Sequence, residues 1–92
     1  MNRVKLDYTV KFKRNFKTRI LPNHLILELF HDAIDLFLEN PFNPYLRTHL
    51  LKGSMKKFYA FSINEDYRVI FRFHKDKVLF YDIGKHSQIY KK

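Results

Sequence analysis

His86 and Tyr90 stand four residues apart near the end of the sequence, shortly after Gly84, and both side chains can do chemistry. An imidazole exchanges protons at cellular pH, and a tyrosine can stack on a nucleobase or hydrogen-bond to it. Upstream, Arg68 and Arg72 fall on the same face of an alternating run, so their guanidinium groups share a surface. A guanidinium can stabilise the extra charge that a phosphate carries in its transition state. Together these groups describe a metal-independent ribonuclease that uses the RNA's own 2′-OH as nucleophile. The competing reading is a pair of solvated arginines beside a surface histidine.

A second cluster, His24, Glu28 and His31, shares one helix face at spacings of four and three. No further cluster supplies a convincing fourth metal ligand, and the neighbouring acids make a solvated charged face the simpler account. With no cysteine, the chain has no disulfide, no thiolate metal site and no Cys nucleophile. Walker, GxGxxG, GxSxG and HExxH motifs are all missing. The expectation is an activity without metal or other cofactor.

The elements that must position these groups can be read from periodicity. Val4, Leu6, Tyr8, Val10 and Phe12 alternate, and Phe12, Phe16 and Ile20 then recur every fourth residue. This pattern predicts a strand near residues 3–9 passing into a helix near 10–20. Pro22 is suited to open a second helix, whose apolar stripe is Ile26, Phe30, Ala33 and Phe37, widened by Leu29, Ile34 and Leu36. Its wet face carries Glu28, Asp32, Asp35 and Glu39, and Asn40-Pro41 ends it. Residues 41–53 read as a structured connection that packs on the domain.

A strand follows at Phe58–Ile63, turning at Asn64-Glu65-Asp66. The next places Tyr67, Val69, Phe71 and Phe73 on a core face, with Arg68, Ile70, Arg72 and His74 opposite. A tight turn near Lys75-Asp76 leads to a last strand over about 77–83. If the first turn pairs Ile63 with Tyr67, then Ser62 lies beside Arg68 and Ala60 beside Ile70, leaving a shallow basic concavity. The order β-α-α-β-β-β predicts an antiparallel meander joined by the N-terminal strand, with two helices on its apolar face.

The 92 residues suit one domain, 1–92, and 46% hydrophobic content with ten Phe and six Tyr supplies its core. Neither a secretory segment nor a membrane-spanning run is evident, which points to a cytoplasmic protein without a membrane partner. Eighteen Lys and Arg against nine Asp and Glu give +9 and favour a polyanionic partner. The first helix concentrates this charge in Lys11, Lys13, Arg14, Lys17 and Arg19, with no acid among them. Lys11, Arg14 and Lys17 are therefore candidate RNA contacts, as is Arg72 on the sheet.

Three short motifs in order carry a resemblance: His49-Leu50-Leu51-Lys52-Gly53-Ser54, Asp66-Tyr67-Arg68-Val69-Ile70-Phe71, and Ile83-Gly84-Lys85-His86 followed by Tyr90. The chain resembles the RelE/ParE superfamily of bacterial type II toxins and is most similar to its YafQ-like mRNA interferases. That resemblance implies an α+β, RelE-like (microbial RNase-like) fold. It also implies mRNA cleavage in the ribosomal A site, contact with ribosomal RNA and inhibition by a cognate antitoxin. By position it gives His49 and His86 proton-transfer roles, Arg68 the scissile phosphate and Tyr90 the nucleotide, with Lys52 and Lys56 as phosphate contacts. The chain departs from YafQ-like toxins at Asp82, where they carry an arginine four residues before the late histidine. An acid facing the scissile phosphate would repel it, so either Arg68 takes the charge-stabilising role or Asp82 points elsewhere, pairing with an arginine or orienting His86. An Asp82 that blocks the site would make a weak or inactive toxin, and strand register decides. The alternatives are a ParE-like poison of DNA gyrase and an RNA-binding domain that acts through charge without cleavage.

Overall fold

The strand Tyr67–His74 is the middle of a five-stranded sheet, and its alternating apolar residues set the core face. The computed structural model describes residues 4–55 and 57–90. In chain order the elements are β1 (Lys5–Tyr8), α1 (Val10–Arg19), α2 (His24–Glu39), β2 (His49–Leu50), β3 (Tyr59–Ser62), β4 (Tyr67–His74), β5 (Lys77–Lys85) and α3 (His86–Ile89). Single 3-10 turns occupy Pro44–Leu46 and Gly53–Met55. The sheet order is β1-β5-β4-β3-β2. All pairings are antiparallel except that of β1 with β5. This is the expected α+β arrangement, extended by a two-residue strand at His49 and a final helical turn at His86. Both additions are too short for periodicity to reveal them.

The predicted helices form with the expected faces. Thr9 caps α1 by accepting from Phe12 N at 2.9 Å. The second helix begins two residues later than Pro22 suggests: Asn23 is the cap, accepting from Ile26 N at 3.2 Å, and Pro22 lies in the preceding turn. A capping side chain satisfies a first-turn N–H, which a proline can only leave vacant, so Asn23 sets the boundary. At the other end Asn40 is extended, as its position before Pro41 requires. Ile26, Phe30, Ala33 and Phe37 are all buried, whereas Glu28, Asp32, Asp35 and Glu39 are exposed.

Phe37 binds the helical layer to the sheet, with ring centroids 4.8 Å from Phe61, 5.0 Å from Phe71 and 5.4 Å from Phe80. Phe12 adds α1 to the same cluster at 5.4 Å from Phe80. Each fully buried aromatic contributes about 1.5–3 kcal/mol. Phe73, expected in this core, is instead half-exposed near the β4–β5 turn and stacks against Phe42.

The register between β4 and β5 shifts once. Phe71 faces Phe80, but Ile70 faces Asp82, so Tyr81 is an extra residue in a bulge. Without it Asp82 would lie opposite Val69 on the core face. The bulge instead moves Asp82 to the second face, beside Ile70.

Candidate active site

The site is built on the second face of the sheet by rows of paired residues. His49, Ala60, Ile70 and Asp82 form one row across β2, β3, β4 and β5, and Ser62, Arg68 and Gly84 form the next. The small neighbours predicted for Arg68 and Ile70 are in place. His49, Leu51, Arg68, His86 and Tyr90 line an open cleft of about 510 Å³. The four predicted catalytic residues thus come together from β2, β4 and the C-terminal turn.

The β3–β4 turn holds two of these groups. Asn64 Oδ1 accepts from Asp66 N at 2.9 Å and Tyr67 N at 2.8 Å, which closes the turn. Its backbone carbonyl accepts from Arg68 Nη1 at 2.7 Å, and Tyr67 O accepts from the same nitrogen at 3.1 Å. One edge of the guanidinium is thereby fixed, and among the described residues no carboxylate pairs with it. The Asp66 carbonyl accepts from His86 N at 3.1 Å, tying the start of α3 to the same turn.

His86 and Tyr90, one helical turn apart, present their rings together, with centroids 4.4 Å apart. Burial raises the Tyr90 pKa above its ordinary value of 10.0, partly opposed by the positive charge of Arg68. The phenol is therefore a neutral donor and stacking surface at cellular pH. His49 is fixed differently: its Nδ1 lies 2.9 Å from Arg47 O. A carbonyl only accepts, so Nδ1 carries the hydrogen and Nε2 is left to exchange protons. Arg47 itself adopts φ 53°, a left-handed conformation that turns the chain into β2.

Asp82 is outside this cleft. It is buried and its side chain turns toward α1: Oδ1 accepts from Asn15 Nδ2 at 2.7 Å and from the neighbouring Ile83 N at 2.8 Å. Lys11 Nζ and Arg19 Nη1 each lie 3.7 Å from the carboxylate. Of the possibilities open in the sequence, pairing with an arginine is the one observed, and the arginine is Arg19. Where the ladder between β1 and β5 ends, α1 takes over the edge of β5, and Arg19 Nη1 donates to Ile83 O at 2.9 Å. Gly84 makes room for this approach, since a Cβ there would come within 2.6 Å of Arg19 Nη1 and 2.8 Å of Gln88 Oε1.

The remaining basic residues separate. Arg72 packs over the Phe58 ring at 5.7 Å, away from the cleft. Lys52 is exposed on the chain just after Leu51, and Lys56 lies outside the described residues. Lys11 and Arg14 border a second cleft around Asp82, whereas Lys17 borders an apolar groove with Tyr8, Phe12 and Phe30. His24 Nε2 is 3.3 Å from Glu28 Oε2, a pair along one exposed helix face. Sequence reasoning missed Asn64 as the hub of the site, although an Asn opening a polar turn was the available signal. It also missed Asn15 and Gln88, whose types give no sign of their partners.

The α+β fold, a five-stranded sheet with its helices and a last helical turn, is that of YafQ- and RelE-like toxin structures. Residues 4–91 match the family model for YafQ, the bacterial toxin of type II toxin–antitoxin systems, and the chain belongs to that family. E. coli YafQ superposes with a TM-score of 0.80 at 17% identity, covering 95% of this chain and 98% of that one. YafQ in the E. coli DinJ–YafQ toxin–antitoxin complex gives 0.78 at 17% identity, covering 95% and 97%. A metal-bound toxin from Helicobacter pylori gives 0.77 at 23% identity, covering 95% and 99%. No curated protein sequence matches the chain. The family and fold expected from the three motifs are therefore borne out. Among the described residues, no helix is long and apolar enough to cross a membrane.

Proposed function

We propose that this toxin is a metal-independent, ribosome-dependent mRNA endonuclease. The observation that carries the reading is the convergence of His49, Arg68, His86 and Tyr90 on one open cleft. One histidine removes the proton of the 2′-OH, and the resulting oxygen attacks the adjacent phosphorus. The P–O5′ bond breaks as a 2′,3′-cyclic phosphate forms, and the leaving 5′-oxygen takes a proton from the other histidine. His49 suits the first role, because its Nδ1–H is committed to Arg47 O and Nε2 is the remaining basic atom. His86 then serves as the acid. Arg68 stabilises the pentavalent phosphate with the part of its guanidinium that the turn leaves free, and Tyr90 holds the base.

Lys11, Arg14 and Lys52 supply contacts to mRNA and ribosomal RNA, and the excess charge attracts a cognate antitoxin through an acidic segment. The DinJ–YafQ complex supports expecting such a partner. A translation assay read by primer extension tests the activity. Codon-positioned cuts that vanish in His86→Ala and Arg68→Ala are expected; inhibition of DNA supercoiling without any cut would replace this reading with a gyrase poison.

A further inference from the structure

The helical turn that carries His86 and Tyr90 into the cleft presents Gln88 and Ile89 to a neighbouring cleft on its other side. That second cleft, about 390 Å³, is lined by residues of α1 and β5 together with Met55 and Ile70. Its volume lies in the usual range for small-ligand sites, roughly 300–1,000 Å³. Met55 and Ile89 give it an apolar part above the buried Ile70, Tyr81 an aromatic one, and Lys11, Arg14 and Arg19 a basic border. Lys11 Nζ stands 5.0 Å from the Tyr81 ring centroid. A cleft of mixed lining, with an aromatic side, polar groups at its floor and a basic rim, suits a nucleotide, base inward and phosphate outward.

The buried Asp82 specifies which base. Its Oδ1 is engaged by Asn15 and by the backbone, while among the described residues Oδ2 has only Lys11, at 3.7 Å. A carboxylate oxygen with spare lone pairs on the wall of the cleft favours a base edge rich in N–H donors and repels one that presents an acceptor. On its Watson–Crick edge guanine offers two adjacent donors, N1–H and the N2 amino group. Adenine and cytosine set an acceptor beside their amino group, and uracil flanks its one N–H with two carbonyls. The Gln88 side-chain amide, which lines the same cleft, supplies a donor for guanine O6.

We propose that the cleft around Asp82 is a guanine-selective subsite for a nucleotide flanking the cleaved linkage. This rests on the reading of the protein as an RNA endonuclease. It gives the acid at position 82 a role in choosing the substrate.

Titration with GMP, AMP and IMP, followed by NMR on labelled protein, tests the subsite without the ribosome. The three ligands share a phosphate, so differences report the base. GMP should shift the Asn15 side-chain amide, Gln88 and Ile89, and bind about tenfold more tightly than AMP. IMP, which lacks the N2 amino group, should fall between them and so checks the carboxylate without a mutation. Asp82→Asn should bring GMP and AMP close to parity. Equal binding of all three nucleotides, or shifts confined to His49, Arg68, His86 and Tyr90, would overturn the proposal. Selective GMP binding by a protein that cuts no mRNA would retain the subsite and remove the endonuclease reading. Cuts without any GMP preference would do the reverse.

Discussion

Tyr90 is the residue whose environment makes the sharpest statement about the cleft. Burial favours its neutral form and the nearby Arg68 favours its anion, and burial is the larger effect. Titration of Tyr ring carbons by NMR should therefore place Tyr90 above 10.0, and Arg68→Ala should raise it further. The folded chain holds this proton more tightly than the unfolded chain does. Its contribution to stability is thus complete below the ordinary tyrosine pKa and is lost as pH rises through the folded value. A Tyr90 pKa unchanged on removing Arg68 would mean that the guanidinium faces away from the phenol, and a fall would mean that Arg68 acts on it chiefly by excluding water. For the reaction, Arg68→Ala should lower the cleavage rate roughly 10²–10³-fold and His86→Ala roughly 10²–10⁴-fold, with unchanged circular dichroism.

At the scale of elements, the β3–β4 turn and the approach of α1 to β5 decide where those residues point. Asn64→Ala removes the acceptor for two backbone N–H groups, and Arg68 and His86 both hang from that turn. It should cost about 1–3 kcal/mol in urea unfolding and lower cleavage even where the protein remains folded. Asn64→Asp, which keeps the acceptor, should restore most of both. Gly84→Ala should also cost about 1–3 kcal/mol, because the new methyl displaces Arg19 from Ile83 O and Gln88 from Lys85 N. Wild-type stability in Gly84→Ala would show that neither bond matters.

These elements also mark where the sequence stops being legible. The stripe Ile26, Phe30, Ala33 and Phe37 and the alternation of β4 express burial directly, so both helices and the meander could be read. The direction of Asp82 could not. It depends on the Tyr81 bulge and on Asn15 and Arg19 reaching across from α1, a tertiary arrangement without local periodicity. The four residues of the cleft were legible because motifs held them in order, while Asn64, which seats two of them, looked like any turn residue.

Over the whole molecule, the +9 charge is distributed unevenly around α1. Lys11, Arg14 and Arg19 border the cleft on the second sheet face, whereas Lys13 and Lys17 border the apolar groove beside Phe30. RNA affinity should fall steeply with added salt, as it does wherever binding releases counterions. Replacing Lys11 and Arg14 by Ala should weaken binding and flatten that salt dependence by about 0.7 in log–log slope per lost phosphate contact. Replacing Lys13 and Lys17 should change it much less. Equal losses from both pairs, measured by fluorescence anisotropy on a short RNA, would mean that charge acts without regard to position.

Cleavage in the cleft of His49, Arg68, His86 and Tyr90 by the proposed route requires that the RNA supply its own nucleophile. The most direct measurement uses a translated mRNA bearing a single 2′-deoxynucleotide on the 5′ side of a mapped cut. Cleavage should disappear at that linkage and continue at unmodified sites, leaving 2′,3′-cyclic phosphate and 5′-hydroxyl ends. Undiminished cleavage at the deoxy linkage would contradict the mechanism.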